Sequence, residues 1–171
     1  ITYGAAVSLD GFIAGTAEEI DCLVLSDDVK GIMRRSWKGD DAILMGRKTY
    51  EYAVRSGGVS SGPSKIRTYV FSRTMADSPA GAELVRDDAV GFVRALKRQP
   101  GGDIILMGGG ELAAALIEGG VVDEIGLNVH PILLGAGVRM FGAMTRRAGL
   151  SLVETRPIAG GCVLVVYRLA D

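Results

Sequence analysis

The chain has 171 residues, 48% of them hydrophobic, with no compositional break, enough for one sizeable core in a single domain over 1–171. Nineteen basic against 20 acidic side chains leave no polybasic field for nucleic acid or an anionic membrane, so any anion site must be local. Cys22 and Cys162 lack CxxC spacing and have only His130 to join them, which argues against a metal or disulfide framework.

The N-terminal "ITYGAAVSLDG" reads as a buried strand stopping at the turn dipeptide Asp10-Gly11. It carries no basic patch ahead of an apolar stretch, and every apolar run in the chain is short. The expectation is therefore a soluble, cytoplasmic protein that neither spans nor binds a membrane. Ser26 can cap a helix whose first turn holds Asp27 and Asp28, and Ile32, Met33 and Trp37 recur at helical spacing, which predicts a helix over 27–37. "DAILMG" is a short buried strand, "RKTYEYAV" a helix opening directly from Gly46, and "RSGGVSSGPSK" a loop.

"RTYVFS" is β-rich and "AELVR" a short strand. "DDAVGFVRALKRQ" is an amphipathic helix with Val90, Phe92, Val93 and Leu96 inward and Arg94, Lys97 and Arg98 outward. "DIILMG", "DEIGLNVHPIL" and a closing pair, "LSLVETRPI" and "GCVLVVYRL", complete the strands. Strand and helix alternate, and near-continuous apolar strands imply a sheet covered on both faces: an α/β fold with a mostly parallel central sheet. The last two strands, joined by "AGG", form an antiparallel hairpin appended to it.

At "LMGRKTY", "YVFSRT" and "LMGGGELA" a strand ends in small or basic residues and the chain turns. In a parallel sheet these ends share one edge, where open α/β sheets bind ligands. Helices starting at Gly46 and Gly110 would offer free N–H groups and positive dipole ends. With Arg47, Lys48 and Arg73 they make an anion site suited to more than one phosphate, and a dinucleotide is the natural candidate. "GGGELA" matches a G-x-G-x-x-A fingerprint, but it follows 107 residues of chain instead of the first strand, which argues against an ordinary Rossmann unit. "GRKT" is not a P-loop, since Arg47 interrupts Gly-Lys-Thr.

"VSLDGFIAG", "ILMGRKTYE", "YVFSRT" and "ILMGGGELAAALIEGGVVDEIGLNVHPILLGAG" occur in an order and spacing that resembles the dihydrofolate reductase-like superfamily. The branch with the C-terminal reductase domain of bacterial riboflavin biosynthesis is the most similar. The resemblance implies a dihydrofolate reductase-like fold over nearly the whole chain, NADPH as cofactor, and a homodimer paired through the C-terminal region. It implies that Gly46, Arg47, Lys48 and Thr49, with Gly108, Gly109, Gly110, Glu111 and Leu112, hold the cofactor pyrophosphate, and that Ser72 and Arg73 meet the ribose phosphate. It further implies a cis Gly108–Gly109 peptide. The glycines would permit close approach of the cofactor to the backbone.

On the catalytic side, the resemblance puts Asp28 near the carboxylate that binds a pterin ring, with Asp27 as rival; both also suit a helix N-terminus simply as acids. Asp10 closes the first strand where the family's chain passes the nicotinamide, yet Asp-Gly is also an ordinary turn. His130, the lone histidine, reads as an acid–base group or as a structural residue ahead of Pro131. Arg34, Arg35, Arg139, Arg146 and Arg147 could reach a substrate anion or lie on solvated surfaces. Two functions follow: an NADPH-dependent reductase of a pteridine or pyrimidine-type small molecule, dihydrofolate-like or 5-amino-6-(5-phosphoribosylamino)uracil-like, or a non-catalytic nicotinamide dinucleotide sensor.

Overall fold

The computed structural model describes residues 1–21, 23, 40–57, 66–77 and 81–170. Its strands are β1 (Thr2–Ser8), β2 (Phe12–Ala14), β3 (Asp40–Gly46), β4 (Arg67–Phe71), β5 (Glu83–Val85), β6 (Asp103–Leu106), β7 (Glu124–His130), β8 (Val138–Arg139), β9 (Leu150–Ile158) and β10 (Cys162–Leu169). The described helices are α1 (Arg47–Arg55), α2 (Ala89–Lys97) and α3 (Gly110–Glu118). The helix expected over 27–37 and most of the loop expected over 55–65 lie outside the described residues.

Eight strands form one sheet in the order β5-β4-β3-β6-β1-β7-β10-β9. The first six run parallel, and β10 pairs antiparallel with both β7 and β9. The expected closing hairpin is present, turning through Ala159–Gly161. The mostly parallel α/β architecture is that of a dihydrofolate reductase-like fold. Helices cover both faces, which is why the central strands are apolar at nearly every position. On one face Tyr3, Leu44, Leu106, Val93, Leu96 and Leu116 belong to one buried cluster, with Phe92 edge-on to Tyr69 and Phe71 at 5.0 and 5.8 Å. On the other, Ile43, Met45 and Val70 pack with Tyr50 of α1.

Local chemistry sets the boundaries. β1 ends at Ser8, two residues before the expected stop. The Gly11 N–H donates to the Ser8 carbonyl (3.0 Å) with Gly11 at φ +88°, and the Phe12 N–H donates to Ser8 Oγ (2.9 Å). β7 likewise stops at His130, short of the apolar residues that follow. β2 and β8 form a small separate ladder that the sequence pattern did not announce. Among the described residues no helix is long and apolar enough to cross a membrane.

Candidate functional site

β3 and β6 are parallel neighbours, in register from Ile43↔Ile105 to Leu44↔Leu106, and each leads into a helix at the same edge of the sheet. Both helices are capped by glycine, Gly46 (φ −74°, ψ 161°) and Gly109 (φ −83°, ψ −179°), and neither cap has a side-chain hydrogen bond. α2 is different: the Asp88 carboxylate accepts from the Gly91 N–H at 2.9 Å. Among the described residues the first-turn N–H groups of α1 and α3 therefore stay available to a ligand, with the positive ends of both dipoles side by side. The Gly46 N–H donates to the Gly108 carbonyl (2.8 Å), which joins the two caps.

The three glycines are not equivalent. The Gly108–Gly109 peptide is cis, and a Cβ on either residue would meet only Thr49 Oγ1, at 3.7 and 3.8 Å. A Cβ on Gly110 would stand 2.7 Å from the Arg139 carbonyl oxygen and 2.8 Å from that of Met140. Gly110 is thus required by the loop packed behind it, where the Gly142 N–H donates to the Gly110 carbonyl at 2.9 Å.

The caps open into a cleft of about 1550 Å³, larger than the ~300–1,000 Å³ usual for one small molecule. Every cofactor-side candidate except Gly108 lines it: Gly46, Arg47, Lys48 and Thr49, then Ser72 and Arg73, then Gly109, Gly110, Glu111 and Leu112. The basic side chains differ in their engagements. Arg47 Nη1 donates to both carboxylate oxygens of Glu51 (2.8 and 3.0 Å). Lys48 pairs with Glu18 at 2.6 Å and holds that carboxyl below its usual range. Arg73 has no hydrogen bond or ion pair among the described residues. Ser72 Oγ accepts from the N–H groups of Thr74 (3.2 Å) and Met75 (3.0 Å), which shapes the turn that carries Arg73. Arg86, which sequence reasoning passed over, also lines the cleft and donates to the carbonyls of Met75 and Ala76.

The cleft continues over the sheet face formed by alternate residues of β1 and β7, where Thr2, Gly4 and Ala6 stand beside Glu124, Gly126 and Asn128. Glycine and alanine make this a shallow trough. Asn128 is its buried polar residue, and Nδ2 lies 2.9 Å from His130 Nε2. His130 is buried too, and burial pushes its basicity down; its Nδ1 lies 3.4 Å from Cys162 Sγ. The histidine is therefore an interior residue and does not line the cleft.

Asp10 does not line the cleft either. Its carboxylate accepts from Ser8 Oγ (2.7 Å) and from the N–H groups of Leu134 (3.2 Å) and Gly135 (2.7 Å). Those bonds, the Ser8 hydroxyl foremost, lower its pKa to about 2. The observed role of Asp10 is to tie the β1–β2 turn to the loop after β7. Asp28, its rival Asp27, and Arg34 and Arg35 lie outside the described residues. Arg139 lines the cleft with its guanidinium 5.2 Å from the Phe12 ring centroid, whereas Arg146 donates to the Glu118 carbonyl at the end of α3. The trough was readable in principle from small residues at alternate positions of "TYGAA", but only once β7 was known to lie beside β1.

The profile of the RibD C-terminal domain family matches residues 1–164. The chain belongs to this family. A relative, YyaP of Bacillus subtilis (strain 168), is 34% identical over 178 residues, covering 98% of this chain and 94% of its own. A protein of Shewanella sp. PV-4 superposes with a TM-score of 0.86 at 23% identity, covering 99% and 98% of the two chains. Dihydrofolate reductase from Enterococcus faecalis, solved with NADP(H) and RAB-propyl, gives 0.73 at 17% identity over 99% and 96%. These two likenesses establish the fold, and the family places it in the riboflavin-reductase branch of the dihydrofolate reductase-like superfamily.

Proposed function

We propose that this protein is an NADPH-dependent reductase that transfers a hydride to a pteridine or pyrimidine-type small molecule. The observation that carries the reading is the pair of adjacent helix N-termini without side-chain caps, joined through Gly46 and Gly108, at the mouth of a cleft large enough for two ligands. A dinucleotide fits these residues. Its pyrophosphate would be held by first-turn N–H groups of α1 and α3, and its ribose phosphate by Arg73 and the Ser72 hydroxyl. When bound, a reduced nicotinamide supplies the hydride chemistry.

The chain's own part is binding and orientation. Gly4, Ala6 and Gly126 leave room for a planar ring against the sheet, and Leu112 and Phe141 help to line the cleft with apolar surface. Asp28 is the residue we propose to bind the substrate ring. The homodimer proposed for this protein would form through the C-terminal hairpin, whose outer strand β9 exposes Leu150, Leu152 and Val153. The deciding experiment follows NADPH absorbance with a panel of pterins, aminouracils and their ribosyl phosphates. Oxidation with at least one of them, abolished by Asp28→Asn, is the expected result. Tight NADPH binding with no turnover on any would instead support the nucleotide-sensor reading.

A further inference from the structure

We propose that Asn128 sets substrate specificity, because its side-chain oxygen is locked as a hydrogen-bond acceptor facing the trough and selects rings that present an N–H donor there. The inference rests on the reductase reading for the kind of molecule that enters the trough, but the lock itself is a property of the apo protein.

Asn128 is 8% exposed, lines the cleft from the middle of β7, and its Oδ1 is buried without a hydrogen-bond partner among the described residues. Buried polar atoms are rarely left in this state, because each forfeits its hydration for nothing. A buried acceptor without a partner, on a residue that lines a ligand cleft, is a place where a ligand settling against the sheet can restore the bond.

With the amide nitrogen turned to His130, the tautomer of the ring and the direction of the bonds beyond it follow. An amide nitrogen only donates, so Nδ2 at 2.9 Å from His130 requires Nε2 to accept and the ring proton to sit on Nδ1. Nδ1–H then donates to Cys162 Sγ at 3.4 Å. The sulfur can accept because its single proton is directed elsewhere, to the Gly160 carbonyl at 3.9 Å. The bonds run in one direction, from Asn128 to His130 to Cys162 to the backbone of the β9–β10 turn. His130 and Cys162 are each 1% exposed, and burial keeps the imidazole and the thiol neutral. Reversing the amide would need every proton in the chain to move. In the reversed state the trough would present an N–H donor and would favour rings bearing a carbonyl or bare nitrogen at that point.

The lock and the selectivity are tested separately. The chain contains one histidine, so long-range ¹H–¹⁵N correlations of labelled protein read the His130 tautomer without assignment. At neutral pH we expect the Nδ1–H form; the Nε2–H form would overturn the proposal. Selectivity is read by titration calorimetry with pteridine-2,4-dione and its 1,3-dimethyl derivative, which lacks the two N–H donors. Wild type should favour the unmethylated ring by about ten- to hundredfold. Asn128→Leu should bring the ratio near one, while Asn128→Asp, which keeps an acceptor, should preserve it. Equal binding of the two rings by wild type, or an unchanged ratio in Asn128→Leu, overturns the selectivity and leaves the reductase reading standing. Binding of neither ring sinks the pteridine reading and the selectivity with it.

Discussion

Arg73 differs from Arg47, Lys48 and Arg86 in having no hydrogen-bond or ion-pair partner among the described residues. Arg47 is held by Glu51, Lys48 by Glu18 and Arg86 by two carbonyls. NADPH exceeds NADH by one ribose phosphate, and hydrogen bonds to charged groups are worth roughly 1.5–3 kcal/mol each. Arg73→Ala should therefore weaken NADPH by about one to two powers of ten and leave NADH nearly unchanged, as dissociation constants for both cofactors would reveal. Equal losses would mean that Arg73 only covers the sheet edge. Asp10 yields a different expectation. Its folded pKa of about 2 lies below the ordinary 3.8, so its contribution to stability is present above about pH 4 and is lost as pH falls from 3.8 toward 2. Asp10→Asn should lower Tm near neutral pH, with the gap to wild type closing by about pH 2; a gap that is the same at both ends would reject the assignment. At this scale the legible residues were those in contiguous motifs, such as Gly46-Arg47 and Ser72-Arg73. Asn128 was not legible as a site residue, because its meaning depends on Cys162, far along the chain, and on which face of β7 it occupies.

Among the elements, α3 shows two glycine requirements within one short run. A Cβ at Gly110 would come 2.7 Å from a backbone oxygen that cannot rotate away, so Gly110→Ala should cost about 1–3 kcal/mol of stability through backbone displacement, measurable by denaturant titration. At Gly109 the nearest protein atom would be 3.8 Å away, and an added side chain would project where the pyrophosphate is proposed to lie. Gly109→Val should abolish dinucleotide binding, and unchanged affinity would remove the ligand from this place. The long elements were readable from the sequence because period and burial agree: Val93 and Leu96 of α2 are buried, and its basic residues are exposed. β2 and β8 were not, since three and two residues carry no periodicity. Their pairing is extended by the Met140 N–H, which donates to the Gly11 carbonyl (3.0 Å).

In the whole molecule, β9 is an edge strand exposed at every residue from 150 to 157, with Leu152 at 57% and Val153 at 48%. A long apolar edge left open invites association with other chains. The proposed homodimer would cover it, and Leu152→Lys with Val153→Lys should shift sedimentation at micromolar concentration from dimer to monomer. A wild-type monomer under those conditions ends the proposal. The fold class was legible because alternation and apolar continuity survive in the local sequence; the strand order was not, because no local pattern says that β6 enters between β3 and β1. That insertion has a kinetic consequence. Among the described residues the β3-β4-β5 half and the β1-β7 half of the sheet are joined as a hydrogen-bonded ladder only through β6, a strand of four residues that is made after the other members of the first half. Each half of the sheet can begin to assemble alone, but neither holds both helix ends, since α1 follows β3 and α3 follows β6. Affinity for the proposed nucleotide should accordingly emerge late, at the moment when the sheet closes, and a nascent chain that ends before α3 would lack one of the two helix ends proposed to hold it.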